Sequence, residues 1–156
     1  MQIDLIAVGK KMPTWIESGF QEYAKRLPKN INFKLIEINP AMRSKNNSAD
    51  NYKLKEEENI LSALSANSLI IALDEKGKSI SSTTLANRIQ AWNDDNQHIS
   101  LIIGGADGLS DNIKNKANEL WSLSDMTLPH GLVRVMVAEQ IYRAWSITQN
   151  HPYHRE

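Results

Sequence analysis

Hydrophobic and polar positions follow two rhythms along this chain, continuous apolar runs and helical stripes, in regular alternation. Met1 to Val8 is a near-continuous apolar run, the pattern of a strand covered on both faces. From Thr14, just after a proline tolerated in a first turn, Ile16, Phe20, Tyr23, Ala24 and Leu27 recur at helical spacing until Pro28 ends the pattern. Ile31 to Ile38 reads as a second strand, and Asp50 to Leu64 returns to helical period through Leu54, Leu61 and Leu64. Ser68 to Leu73 is a short apolar strand with Asp74 to Lys78 as its exit turn. Ser81 or Ser82 caps a helix that keeps Leu85, Ile89 and Trp92 on one face. His98 to Ile103 is the next strand, and two further helices follow, the last from Val133 to Thr148. The alternation βαβαβαβ with two closing helices predicts an α/β fold with a mainly parallel sheet flanked by helices. Ligands in such sheets bind beyond the carboxyl ends of the strands, which directs attention to Leu73-Asp74, Gly104-Gly105 and the loop Ser122 to Leu128.

At 156 residues the chain is expected to form one domain, residues 1–156. No apolar run approaches the roughly 20 residues of a membrane span, and the start MQIDLIAVGKK reads as a first strand, so a cytoplasmic protein with no membrane partner is expected. Cysteine is absent, which removes disulfides, thiol catalysis and thiolate metal sites. The four histidines, His98, His130, His151 and His154, show no paired-histidine helix pattern, and no metal is expected. A formal net charge of zero argues against bulk electrostatic binding of nucleic acid, but it hides an asymmetry. Residues 1–55 hold ten Lys or Arg against five Asp or Glu, a net +5, and residues 56–156 hold eight against thirteen, a net −5. The basic half suits phosphates or is simply solvated surface. Its loop NPAMRSKNNSAD carries Arg43 and Lys45.

Candidate chemistry concentrates after Leu101. Gly104-Gly105-Ala106-Asp107-Gly108 follows a strand but is neither GxGxxG nor a Walker loop, so it either exposes backbone to a ligand or makes a tight turn needing positive φ. Ser122 to His130 mixes hydroxyls with apolar side chains, which suits a ligand with an aromatic ring and a polar tail, or a loop satisfying its own donors before a helix. The helix VRVMVAEQIYRAW is apolar on two sides with Arg134, Glu139 and Arg143 interrupting, which points to a second subunit as cover or to one buried face with solvated charges opposite. The ending His151-Pro152-Tyr153-His154-Arg155-Glu156 is a frayed terminus or a set of groups able to stack a base, move a proton and hold an anion.

Taken together, the blocks LIAVGKKMPTW, SLIIALDEKGK, SLIIGGADGLS, WSLSDMTLPHGLVRVMVAEQIYRAWSI and TQNHPYHRE resemble the SPOUT class of RNA methyltransferases over essentially the whole chain. Within it they resemble the small RlmH family, which methylates N3 of a pseudouridine in large-subunit (23S) ribosomal RNA. The resemblance implies a C-terminal trefoil knot, an exception to the rule that chains avoid knots. It implies S-adenosylmethionine bound by Leu73, Gly104, Gly105 and the stretch Leu123, Ser124, Asp125, Met126, Thr127 and Leu128. It also implies a homodimer in which the tail of one subunit completes the pocket of the other.

For methyl transfer to an imide nitrogen, a base must take the N3 proton and the developing anion must be stabilised. His154 or His130 is the candidate base, Arg155 or Arg143 the candidate anion stabiliser, and Tyr153 the residue that positions the base. With no added RNA-binding domain, the expected substrate is the assembled 70S ribosome, contacted by Arg43, Lys45 and the basic half. The alternatives are another SPOUT activity, ribose 2′-O or tRNA guanine methylation, and a ribosome-associated protein without turnover.

Overall fold

The computed structural model describes residues 1–42, 44, 46 and 48–154. The predicted positions Arg43, Lys45 and Arg155 lie outside the described residues. Ten elements alternate: β1 (Gln2–Val8), α1 (Thr14–Ala24), β2 (Asn32–Ile38), α2 (Ala49–Ala63), β3 (Leu69–Ser79), α3 (Ser82–Asp94), β4 (His98–Ile103), α4 (Asp111–Lys116), β5 (Glu119–Ser122) and α5 (His130–Thr148). All strand pairs are parallel, in the order β2-β1-β4-β3-β5.

The two faces of the sheet explain the unbroken apolar runs. Ile3, Leu5 and Ala7 of β1 join Phe20 of α1, Ile89 and Trp92 of α3, and Val137 and Ile141 of α5 in one core. Ile6 and Val8 point the other way, toward Ile60 of α2 and Ile113 of α4. A period of two therefore finds apolar cover on both sides, as parallel sheets require. Ser48, Ser81 and Ser110 cap α2, α3 and α4, each hydroxyl accepting from a backbone N–H three residues on.

The structure departs from the sequence reading at four places. Asp74 to Lys78 continues β3 instead of turning away: Leu73 and Lys78 both pair with Trp121, so residues 74–77 bulge between two registers. Gly77 permits this, since a Cβ there would sit 2.6–2.7 Å from backbone atoms of Leu120 and Trp121. The four-residue strand β5 was not anticipated, being too short to display a period. The last helix begins at His130, one turn before Val133. Finally, Arg134 is not a charge on an outward face. It is 1% exposed, donates to Glu37 Oε2 at 2.8 Å and to the Gly9 carbonyl at 2.9 Å, and so ties α5 to the ends of β1 and β2.

Candidate active site

The bulge of β3 and the carboxyl ends of β4 and β5 open into a cleft of about 780 Å³. Of the residues expected to hold a cofactor, Leu73 lines it from the edge of the β3 bulge and Gly104 and Gly105 from the end of β4. Leu123, Ser124, Met126, Thr127 and Leu128 line it from the loop after β5. Asp125 belongs to the same loop and is exposed, but is not among the cleft-lining residues. His130, the first residue of α5, completes the wall.

Local hydrogen bonds explain the shape of this loop. Ser122 Oγ donates to the Ser124 carbonyl at 3.0 Å, and Ser124 Oγ accepts from the Met126 N–H at 2.9 Å. Two serines thereby replace helix or ladder partners that an irregular segment lacks. Thr127 Oγ1 donates to Glu75 Oε2 at 3.3 Å, joining the loop to the bulge of β3. In that bulge Asp74 is ion-paired with Lys114 at 2.9 Å and accepts the Lys76 N–H at 2.8 Å. Burial pushes the Asp74 carboxyl up, but the Lys114 ammonium and the Lys76 N–H outweigh it and hold the group below the usual carboxylate range.

The glycine loop is shaped by the protein's own packing. A Cβ on Gly104 would lie 2.8 Å from the Gly108 carbonyl carbon, and one on Gly105 would lie 3.1 Å from Glu56 Oε2 and from Val8 Cγ1. Gly108 has φ of +79° with open space around it, which is the tight-turn role. Behind the loop, Glu57 is buried and accepts from Ser110 Oγ at 2.5 Å, while Glu56 accepts the Ala41 N–H at 3.3 Å. Glu57 thereby ties α2 to the cap of α4 and Glu56 ties it to the segment after β2, and nothing in the periodicity of α2 signalled them.

The other candidates gather at the far end of α5. Arg143 pairs with Glu139 through Nε at 2.9 Å and Nη2 at 2.6 Å, and its guanidinium carbon lies 5.1 Å from the Tyr153 ring centre. Tyr153 Oη donates to the same Glu139 Oε1 at 3.0 Å, and Tyr153 meets Tyr142 edge-on at 4.7 Å. Burial, then the bonds to Glu139 and Tyr23, push the Tyr153 phenol well above its ordinary value, so it acts as a neutral donor. Ser146 Oγ donates to the Arg143 carbonyl at 2.7 Å and lies 3.3 Å from His154 Nδ1. With the hydroxyl proton directed at that carbonyl, a proton on Nδ1 is what satisfies this contact. The tail therefore folds onto α5 and is not frayed as far as His154. Glu139 escaped the sequence reading as a site residue, although its i,i+4 spacing to Arg143 was a legible signal.

These two groups do not meet within one chain. Thirteen residues of helix separate His130 from Arg143, a rise of about 20 Å, and neither Arg143, Tyr153 nor His154 lines the cleft.

Residues 1–154 match the family described as predicted SPOUT methyltransferase. Curated relatives named ribosomal RNA large subunit methyltransferase H, from Burkholderia mallei (strain SAVP1) and Burkholderia pseudomallei (strain K96243), are each 49% identical over 155 residues, 99% of this chain and 99% of the relative. A parallel sheet, a cleft at its carboxyl edge and a match along nearly the whole length point the same way: this chain belongs to the SPOUT methyltransferase family.

Proposed function

We propose that the chain methylates ribosomal RNA of the large subunit, using S-adenosylmethionine, at N3 of a pseudouridine in the assembled ribosome. The 49% identity over nearly the whole chain to proteins named ribosomal RNA large subunit methyltransferase H supports the large-subunit RNA part of this reading. The cleft fits the donor in size and charge. Leu73, Ile103, Leu123 and Leu128 offer apolar walls to an adenine, and about 780 Å³ falls in the range of small-molecule sites. Three carboxylates, Asp74, Glu75 and Asp107, and three ammonium groups, Lys53, Lys76 and Lys114, border it, a balance that suits a zwitterionic amino-acid end. When bound, S-adenosylmethionine supplies a methyl group already made electrophilic by its sulfonium.

The residues of the chain then have three tasks. Nε2 of His154 takes the N3 proton, with His130 as the second candidate. Tyr153, held protonated, orients the base and the target ring through its ring face and hydroxyl. Arg143 or Arg155 faces the developing anion. Because Arg143 is already paired with Glu139, its role at the anion requires that pair to open or to act as a unit. The separation of about 20 Å along α5 supports a homodimer in which this cluster from one subunit faces the cleft of the other. The trefoil knot, the single-domain organisation and a cytoplasmic location beside the ribosomes belong to the same reading.

The test is methyl transfer from labelled S-adenosylmethionine to intact ribosomes lacking the modification, with the product nucleoside identified by mass spectrometry. N3-methylpseudouridine is the expected product. Transfer to tRNA alone would discard the substrate, and transfer to neither would favour a protein without turnover.

A further inference from the structure

The turn joining β1 to α1 is built with more care than a connection needs. Met12 is its peg: a Cβ on Gly9 would lie 2.9 Å from Met12 Cε, and one on Gly131 would lie 3.3 Å from Met12 Sδ. Two glycines thus make room for one methionine, which fastens the turn to the start of α5 beside His130, a wall of the cleft. From beneath, the buried Arg134 donates to the Gly9 carbonyl. Within this turn Lys11 has φ of +55°. Such a conformation is unfavourable for a residue with a Cβ, persists only where the surroundings over-determine it, and is often found at working surfaces.

What this turn and the first turn of α1 present outward is two ammonium groups and an indole. Lys10 and Lys11 are exposed, and Trp15 is 61% exposed although its neighbour Ile16 is anchored in the interior at 3%. Cations beside a free aromatic face are the recognition set for unpaired RNA, in which phosphates take the charges and a base stacks on the ring. The surrounding segment has the matching sign, since residues 1–55 hold ten basic against five acidic side chains.

We infer that the Lys10–Trp15 segment, the turn after β1 and the start of α1, is the docking platform for the RNA substrate, with Trp15 stacking on an unpaired base and Lys10 and Lys11 holding the adjacent phosphates. The inference rests on the RNA reading above and names where that RNA touches the protein. A turn locked in advance loses little freedom on binding, which is the purpose of the Met12 peg.

The test compares Trp15→Ala, Trp15→Phe and the double variant Lys10→Ala/Lys11→Ala in steady-state methylation of ribosomes. Trp15→Ala should raise KM for ribosomes on the order of ten-fold, with kcat and donor affinity held, and Trp15→Phe should recover most of the loss. The double lysine variant should flatten the dependence of log KM on log salt by about one to two. In parallel, fluorescence anisotropy with a labelled single-stranded RNA of mixed sequence reads the platform without methyl transfer. Unchanged KM and unchanged RNA affinity in every variant would overturn the inference. So would a change in subunit association on sedimentation, which would assign the face to a second copy. Wild-type protein that fails to methylate ribosomes, yet binds RNA through Trp15, would sink the ribosomal reading and keep the platform.

Discussion

Replacing Gly77 by alanine adds one methyl group where two strands already touch through their backbones. Its Cβ would stand 2.6 Å from the Trp121 carbonyl carbon and 2.7 Å from both Trp121 N and the Leu120 carbonyl carbon. Carbon contacts become comfortable near 3.5 Å, so one strand must retreat by ~0.8 Å or more. No rotamer can absorb this, because all three obstructing atoms are main chain and both strands are held by the register around Trp121. Overpacking of this kind costs about 1–3 kcal/mol, and the restricted unfolded chain returns about 0.4–1 kcal/mol. The net is a destabilisation of about 2 kcal/mol, near the upper part of the range because backbone is rigid. For a chain of this size that lowers Tm by about 4–8 °C, measured by thermal circular dichroism at one fixed protein concentration. Leu73 and Trp121 both line the cleft, so calorimetric affinity for S-adenosylmethionine should fall with Tm. A Tm equal to or above that of the wild type, with donor affinity unchanged, would refute the reasoning and show that the strands have room to separate.

Other substitutions probe the remaining supports. Arg134→Met removes a 1% exposed guanidinium and leaves the Gly9 carbonyl without its donor, while Glu37, a third exposed, can turn to water; we expect about 1–3 kcal/mol of destabilisation in urea titration, and an unchanged stability would contradict the tie. Tyr153→Phe should lower kcat by about ten-fold or more with donor affinity unchanged, and near wild-type turnover would remove the tail from the chemistry. In absorbance titration the same variant should show no fewer tyrosines ionising near pH 10 than wild type, because burial and Glu139 hold the Tyr153 proton above that range. Asp74 has a folded pKa below its unfolded value, so its pairing with Lys114 stabilises the fold above about pH 4 and loses that effect as pH falls through the folded value. The Tm gap between wild type and Asp74→Asn should therefore be widest at neutral pH and close as the solution is acidified; a gap independent of pH would assign the difference to packing.

Much of the layering was legible because parallel strands covered on both faces leave long apolar runs, as in Met1 to Val8, and because serine caps and Pro28 punctuate the helices. Two of the segments that form the cleft, Gly104 to Gly108 and Ser122 to Leu128, were legible for a related reason: each follows a strand end and mixes glycine or hydroxyl residues with apolar ones. By contrast β5, with four residues, has no period to read. The bulge of β3 was hidden because register depends on what the partner strand does, and Asp74 to Lys78 has the composition of an ordinary turn.

The site divides along the same line. Residue types able to move a proton or hold an anion were visible in His130, Arg143, Tyr153 and His154, and an amino-acid sequence by itself determines such chemistry because it resides in the side chains. Which of them stand together is a matter of distance. Only the tertiary structure placed His130 on the cleft, bound Tyr153 and Arg143 to one oxygen of Glu139, and buried Arg134 against the ends of β1 and β2. It likewise showed that backbone of Gly108 occupies the space of a Cβ at Gly104, and that side chains of Val8 and Glu56 crowd it at Gly105. The sequence determined the alternation of elements and the stock of reactive groups, since these depend on local spacing and composition; the partners, the registers and the close backbone approaches were decided only when residues distant in the chain packed against one another.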